Sequence, residues 1–320
     1  MKKYFLAACS FLSLCLSAQD VSISKDIKKA MDRIDTNTIR AHIAYLADDK
    51  LKGRLPGTEG YQMAVDYVID QYKKIGLAPG GDNGGYTQKV LIRRSVVENS
   101  SAVAVLKDKF GNLDSLTFMK DFAPAPNPIN KNAAAEGQLV FAGYGVEISG
   151  GYSDYAGINV KGRIVVLVAG APDGLHSTVT AHFSNGGNKM NVAFEKGAIG
   201  VIMYSPQNRP SANTSPTLQS NTTINPDKTM AFSRGFTGNL KVVVNAAGPL
   251  MRRLFMNSGK NMQQVLADIK KGKPSSFEFD YSLSVSYTST HTDIESYNVV
   301  GLIPGTDKVL KNEYNIYLFF

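Results

Sequence analysis

The chain has 320 residues, a length that fits two domains or one large domain carrying an insertion. Apolar residues make up 43% and charged residues 19%, which excludes a collagen-like, coiled-coil or disordered chain. The net charge of +8 comes from scattered basic residues and short basic pairs, without a long basic run. This distribution argues against a nucleic-acid partner.

The amino-terminal residues have the layout of a secretory signal peptide. Lys2 and Lys3 precede an apolar run from 4 to 16, and the small residue Ala18 offers a cleavage point. We therefore expect a signal peptide over 1–18 and a secreted or periplasmic mature protein. A lipid-anchored form through Cys9 is the alternative, because residues 6–9 read LAAC. No later segment is apolar enough to predict a transmembrane helix.

Both cysteines, Cys9 and Cys15, lie inside this predicted signal. Cleavage after Ala18 would leave no cysteine in the mature chain. That excludes disulfides, thiol nucleophiles and cysteine-based zinc sites.

Two helices are predicted next. Ile39, Ile43 and Leu46 recur at helical spacing after a cluster of capping residues, so the first helix begins near Asn37. A loop follows over 52–57. Thr58 then caps a second helix, whose apolar periodicity runs to residue 75 and which a glycine ends.

From residue 101 to about 273 short β-rich runs dominate, and we expect a compact α+β module there. Strands are predicted at 86–91, 102–106, 138–141, 163–168, 198–204 and 240–244. Short helices are predicted around 190–194, 249–256 and 262–270, and a long exposed loop over 205–225. Strict alternation predicts a strand over 277–287, followed by strands at 298–303 and 313–320.

The chain has four histidines, each a candidate metal ligand. His42 has the helix register of a surface or half-buried residue. Asp173, His176 and His182 lie close together in a segment that resembles a loop, and a metal site there is the weaker interpretation. Neither group predicts a zinc centre.

The sequence His-Thr-Asp at 291–293 is the strongest metal candidate, because His-x-Asp at a strand end places two ligands at one edge. Two ligands would not hold a catalytic zinc, and no Glu-Glu pair or later histidine follows. We interpret 291–293 as a polar bend between two strands.

Two other catalytic or binding motifs are not present in the residues themselves. A serine-nucleophile elbow is absent from the sequence. Gly143 and Gly145 lack the third glycine of a dinucleotide-binding motif, and we expect them to serve a tight turn.

Four stretches together resemble the di-zinc exopeptidase family of aminopeptidases Y and S and glutamate carboxypeptidase. The first is GRLPGTEG at 53–60, followed by the long helix and GLAP at 76–79. The second and third resemble an inserted protease-associated (PA) domain: FAGYG at 141–145 with NVKGRIVV at 159–166, and KGAIGVI at 196–202. The fourth is SYNVVGLIPGT at 296–306.

The resemblance implies an α/β fold: an incomplete zinc-exopeptidase sheet domain with an inserted β-rich α+β PA domain. The expected domains are the signal over 1–18, the start of the peptidase domain over 19–94, the PA domain over 95–290, and a truncated return to the peptidase domain over 291–320. The family uses two zinc ions, and peptides or proteins are its expected partners.

The family's zinc ligands and general base follow the fourth motif, and none maps onto this sequence. We therefore assign no catalytic, cofactor-binding or metal residue, and expect no bound zinc. The leading hypothesis is an inactive amino-terminal fragment of a secreted zinc aminopeptidase. The alternative is a non-catalytic secreted module that binds peptides or proteins through the PA domain.

Overall fold

The computed structural model describes residues 23–206, 218–225, 227, 240–307 and 309–310, and the backbone of 316–319. The predicted signal at 1–18 and Cys9 lie outside these residues. The chain divides into two compact units, residues 1–64 and 65–320, and the boundary falls inside a helix. In the part of the chain that is described, no helix is both long enough and apolar enough to cross a bilayer.

The first unit contains helices α1 (Lys25–Met31) and α2 (Thr36–Leu46), a 3-10 segment (Asp49–Arg54), and the start of α3 (Glu59–Lys74). Side-chain caps begin the first two helices: Ser24 Oγ accepts from Ile27 N at 3.2 Å, and Asp35 Oδ1 accepts from Asn37 N at 2.9 Å. The apolar face of α2 is open to solvent, and Ile43 is 62% exposed.

The second unit contains the remaining elements. The strands are β1 (Ala78–Pro79), β2 (Thr87–Val97), β3 (Val103–Asp108), β4 (Leu113–Ser115), β5 (Phe122–Pro124), β6 (Asn132–Ala142), β7 (Ile164–Val168), β8 (Gly200–Tyr204), β9 (Gln219–Ile224), β10 (Val242–Ala246), β11 (Ser276–Ile303) and β12 (Ile316–Phe319). The helices are the rest of α3, then α4 (Ser177–Ser184), α5 (Gly186–Glu195), α6 (Gly248–Met256) and α7 (Met262–Lys270).

These strands form one mixed sheet. Its main path runs β4-β3-β11-β6-β7-β8-β10-β5, in which β6, β7, β8 and β10 are mutually parallel. All five residues of β7 are buried, as expected for a strand covered on both faces. One face packs against α6 and α7, and the other buries Ala193 of α5.

The long strand β11 joins this module to the segments that flank it in sequence. Its first half pairs with β3 and β6. Its second half pairs antiparallel with β2, from Ser289 opposite Val97 to Val299 opposite Thr87. We call β2 with this half of β11 the ribbon. The predicted module boundaries at 95 and 290 lie inside these two strands.

The predicted α/β class with a β-rich α+β module is confirmed. Helix α3 and its Thr58 cap are as predicted, since Thr58 Oγ1 accepts from Tyr61 N at 3.4 Å. Helix α7 has the predicted bounds 262–270. The predicted terminal strand is present over Ile316–Phe319, where it pairs with the end of β11.

Four predictions were wrong. The polar bend at 291–293 does not exist, because β11 is continuous from 276 to 303 and its pairing with β2 holds these polar residues in the sheet. The predicted exposed loop at 205–225 contains strand β9, paired with β2; residues 207–217 of it lie outside the described part. Helix α1 precedes the predicted first helix, and α4 replaces a predicted loop.

Candidate functional site

The strongest sequence candidate for a metal ligand, Asp293, is instead half of an ion pair on the ribbon. Arg93 lies directly opposite it on β2, and its Nε and Nη2 donate to Asp293 Oδ1 and Oδ2 at 2.7 and 3.0 Å. The two side chains are only 10% and 26% exposed. This hydrogen bonding raises the pKa of Arg93. A carboxylate held at both oxygens by a guanidinium is a structural group.

His291 lies on the same side of β11 and contacts the module. Its Nε2 is 2.8 Å from the carbonyl oxygen of Asn127, and Arg93 Nη1 donates to the carbonyl of Pro128 at 3.2 Å. His291 and Arg93 therefore fasten the ribbon to the segment that precedes β6. His291 and Asp293 are thus both engaged by partners within the chain.

The second candidate group has local structural roles. His176 is the N-cap of α4, and Thr178 N donates to its Nδ1 at 3.4 Å. Asn188 Nδ2 lies 3.2 Å from His182 Nδ1 and donates to the His182 carbonyl at 2.8 Å. The backbone N–H of Asp173 donates to the Lys270 carbonyl at 2.7 Å.

The described residues do not fit a two-zinc centre. His42 lies half-buried in α2. Within the described ranges no group of three or more His, Cys, Asp or Glu side chains converges. A zinc site needs three or four such ligands.

A buried ionic cluster in the module was missed by the sequence analysis. Lys189 on α5 has no solvent exposure, and its Nζ donates to the carbonyls of Val168, at 2.8 Å, and Gly170. The ring of Tyr144 lies 5.1 Å from Nζ. Burial lowers the pKa of Lys189 to about 7, and the charge of Asp154 opposes this shift.

Asp154 is the acidic member of this cluster. It is fully buried, and burial raises the pKa of its carboxyl. Val146 N donates to Oδ2 at 3.0 Å, and the Tyr152 hydroxyl donates to Oδ1 at 2.7 Å. Burial and the charge of Asp154 in turn raise the pKa of Tyr152. The arrangement fixes the loop after β6.

A family model named "PA domain" matches residues 135–233, which hold this cluster, β6 to β9 and α4 to α5. This segment is a PA domain. It lies within the predicted 95–290 module and includes the stretches at 141–145, 159–166 and 196–202 on which that prediction rested. No curated protein matches the chain.

Solved structures similar to the chain include two bacterial aminopeptidases. The aminopeptidase from Aneurinibacillus sp. strain AM-1 is 15% identical, with a TM-score of 0.39, and the match covers 87% of this chain and 50% of that one. The zinc aminopeptidase BSAP from Bacillus subtilis is 15% identical, with a TM-score of 0.31 and coverages of 83% and 46%.

A third similar structure is a psychrophilic subtilisin-like protease, Apa1, from Pseudoalteromonas sp. AS-11. It is 16% identical, with a TM-score of 0.26 and coverages of 63% and 37%. The chain thus spans about half, or less, of the length of each of these three proteins.

Two glycines of the PA domain explain its tight turn after β6. Gly143 and Gly145 both have positive φ, 48° and 69°. A Cβ on Gly143 would lie 2.5 Å from Asp154 Oδ1, and one on Gly145 would lie 2.8 Å from Leu167 Cδ2. The predicted turn role of these glycines is confirmed.

The only sequence signal for the burial of Lys189 was its position on α5, one turn before the buried Ala193.

Proposed function

We propose that this chain is the amino-terminal part of a secreted zinc-dependent aminopeptidase, with the PA domain inserted into the start of the peptidase domain. The observation that supports the proposal best is a strand pairing between a segment that precedes the PA domain in the sequence and a segment that follows it. Ala78 pairs with Leu302 and Pro79 with Gly301. These residues belong to the first and fourth stretches of the family resemblance.

Further contacts reinforce this junction. Gly80 N donates to the Val300 carbonyl at 3.1 Å, and Val300 N donates to the Tyr86 carbonyl at 2.7 Å. The Tyr86 hydroxyl donates to the Leu77 carbonyl at 2.6 Å. Gly301 packs so closely that a Cβ there would lie 2.7 Å from Leu77 Cδ1. The segments before and after the PA domain therefore lie side by side in the same sheet, which is the arrangement expected for an inserted domain.

We place the two zinc ions and the general base of the reaction in residues that follow this chain in a longer protein. His291 and Asp293 are already bound to Asn127 and Arg93, which supports this placement. The proposed domains remain 1–18, 19–94, 95–290 and 291–320. In this proposal the chain alone is inactive towards peptides.

The experiment compares the purified chain with a version extended through the downstream coding sequence. Hydrolysis of leucine p-nitroanilide and zinc content by mass spectrometry are measured for both. We expect two zinc ions and hydrolysis only in the extended protein, with loss of both when its downstream His-x-Asp histidine is replaced by alanine. Chelator-sensitive hydrolysis by the chain alone would refute the proposal, as would a downstream sequence without the family's ligands.

Secretion is tested separately, by amino-terminal sequencing of the exported protein. We expect a mature amino terminus at Gln19. Acylation at Cys9 would instead support the lipid-anchored alternative.

A second candidate function is a non-catalytic module that binds peptides or proteins through the PA domain. It is supported by the module's own hydrophobic core, whose buried residues all lie between 97 and 287. A peptide pull-down with the full chain tests it. Peptide capture without zinc or hydrolysis, together with a downstream sequence that lacks metal ligands, would select this function.

A further inference from the structure

Two adjacent arginines of β2 lie on opposite faces of the ribbon and differ in their partners. Arg93 is held by Asp293, directly opposite it on β11. Arg94 lies on the other face, because successive side chains of a strand alternate. Its Nε is shielded from solvent and has no hydrogen-bond partner among the described residues. Since a guanidinium stays charged in proteins, this buried N–H lacks the acceptor that its charge favours.

The strands around Arg94 place no carboxylate on its face. Thr292 of β11 and Asn221 of β9 lie directly opposite it on its two sides, and both are exposed. The acidic residues of the ribbon, Asp293 and Glu295, lie on the other face, where each already pairs with a basic residue of β2. Within these three described strands, the face of Arg94 therefore carries a positive charge and no negative one.

The sequence around β9 adds no negative charge that is available to Arg94. From 196 to 267, Asp227 is the one acidic residue, and it already has a partner within the chain. Basic residues in the same stretch include Lys228 and Arg234. This charge balance favours an anionic group supplied by a binding partner.

Apolar side chains border Arg94 on the same face. Ile92 lies two residues before it on β2, directly opposite Ile294 of β11, and Val96 lies two residues after it. All three are half-buried, so part of each remains open to a ligand. Side chains two residues apart on an extended chain have the spacing that separates Arg94 from Ile92. An acidic side chain and an apolar one at that spacing therefore match this face.

We propose that the Arg94 face of the ribbon binds an extended peptide or protein segment through the carboxylate of an aspartate or glutamate side chain. An apolar side chain two residues away in the ligand rests on Ile92 and Ile294. Arg94 Nε and one Nη donate to the two carboxylate oxygens, as Arg93 Nε and Nη2 do to Asp293 on the other face. This inference does not depend on peptidase activity.

The probe is the peptide acetyl-Ala-Glu-Ala-Ile-Ala-amide, whose blocked ends leave the glutamate as its one carboxylate. It is titrated into the full ¹⁵N-labelled chain while the amide signals of Arg94 and Thr292 are followed. A partly exposed ion pair is weak, so we expect a dissociation constant on the order of millimolar. The same peptide with glutamine in place of glutamate has nearly the same shape and no charge, and we expect no binding of it.

Thr292→Asp gives the decisive result. It places a carboxylate opposite Arg94, as Asp293 is placed opposite Arg93, so it should occupy the guanidinium and lower the affinity for the glutamate peptide about fivefold. Ser286→Asp makes the same change in net charge at an exposed position of β11 that pairs with β3, and should leave the affinity unchanged. Equal losses in the two variants would overturn the proposal.

Arg94→Gln should weaken binding by about fivefold or more, since it removes the charge that the carboxylate contacts. Its control is Lys89→Gln, which removes the same charge from the other face of β2 and should leave binding unchanged. Arg94→Lys keeps the charge without the two parallel donors, and we expect an intermediate affinity. Circular dichroism checks that each variant is folded, and Thr292→Asp keeps Arg94 itself if Arg94→Gln does not fold.

Inorganic phosphate tests whether any anion is sufficient. We expect the peptide to remain bound at an equal concentration of phosphate, because phosphate makes no contact with the apolar side chains. Displacement of the peptide under these conditions would overturn a site for acidic segments. Equal binding of the glutamine peptide, or unchanged binding by Arg94→Gln, would do so as well.

Discussion

Lys189 Nζ lies 2.8 Å from the Val168 carbonyl oxygen, at the end of the fully buried strand β7. The same nitrogen donates to Gly170, so one side chain from α5 satisfies two carbonyls where the strand ladder ends. A buried carbonyl without a hydrogen-bond donor lowers the stability of the folded state. Here the Lys189 ammonium supplies the donor for both carbonyls. Helix α5 is thereby attached to β7 by a polar contact inside an apolar core.

At pH 7, Lys189→Met should destabilise the chain by about 1–3 kcal/mol, because methionine keeps the apolar stem and leaves both carbonyls without a donor. The measurement is urea unfolding followed by circular dichroism. Lys241→Met, at an exposed position beside β10, is the control and should change the free energy of unfolding by less than about 0.5 kcal/mol. Equal effects of the two substitutions would contradict the role given to Lys189.

The free energy of unfolding should rise with pH above 7 through Lys189. Its pKa is about 7 in the folded chain and 10.5 in the unfolded chain, so between these values the unfolded state binds more protons. The slope from one such group approaches about 1.4 kcal/mol per pH unit. Urea unfolding at pH 7, 8 and 9 should show this slope in the difference between the wild type and Lys189→Met.

Measurements for this comparison stay below pH 10. The pKa values of Tyr152 and Tyr155 are raised by burial, so their ionisation in the unfolded state would lower stability above that pH. A difference that stays constant from pH 7 to 9 would show that Lys189 remains charged in the folded chain.

Asp293→Asn should cost about 1–3 kcal/mol of unfolding free energy, because it leaves the buried guanidinium of Arg93 without its carboxylate. The matched substitution is Glu295→Gln, two residues along the same strand, whose exposed pair with Lys89 is worth at most about 1 kcal/mol. Thermal unfolding of the two variants gives the comparison. A larger loss from Glu295→Gln would be incompatible with the ion pairs described.

Gly143→Ala and Gly150→Ala separate steric clash from backbone strain. Both glycines have positive φ, but a Cβ at 143 would strike Asp154 Oδ1, whereas one at 150 meets nothing within 4 Å. We expect a loss of about 1 kcal/mol at position 150 and a clearly larger one at 143. Differential scanning calorimetry measures both, and equal shifts in melting temperature would argue against the clash.

Helices with a clear apolar period were predictable from the sequence. Helix α7 begins after a capping asparagine, Asn261, and buries Val265 and Ile269 one turn apart, so both its period and its start were visible. Helix α4 was missed because its cap is a histidine, His176, and it buries only Phe183. Neither feature is a common helix signal.

The continuity of β11 could not be predicted from local pattern. Residues 289–293 are mostly polar, and polarity within a strand normally indicates a turn. They remain in the sheet because Arg93, Asn127 and the facing strand β2 satisfy them, and these partners are distant in sequence. The burial of Lys189 could not be predicted for a similar reason. A lysine is expected at the surface unless the partners that would satisfy it in the interior are known.

The unbroken course of β11 also restricts how its gene can change. Side chains alternate along a strand, and a shift of one residue moves every following side chain to the opposite face. Ser289, His291 and Asp293 share one face because β11 is continuous from its pairing with β6. Insertion of a single codon between 288 and 289 would turn His291 and Asp293 away from their partners unless a bulge absorbed it. Related proteins should therefore vary here by substitution, or by gains and losses of two residues.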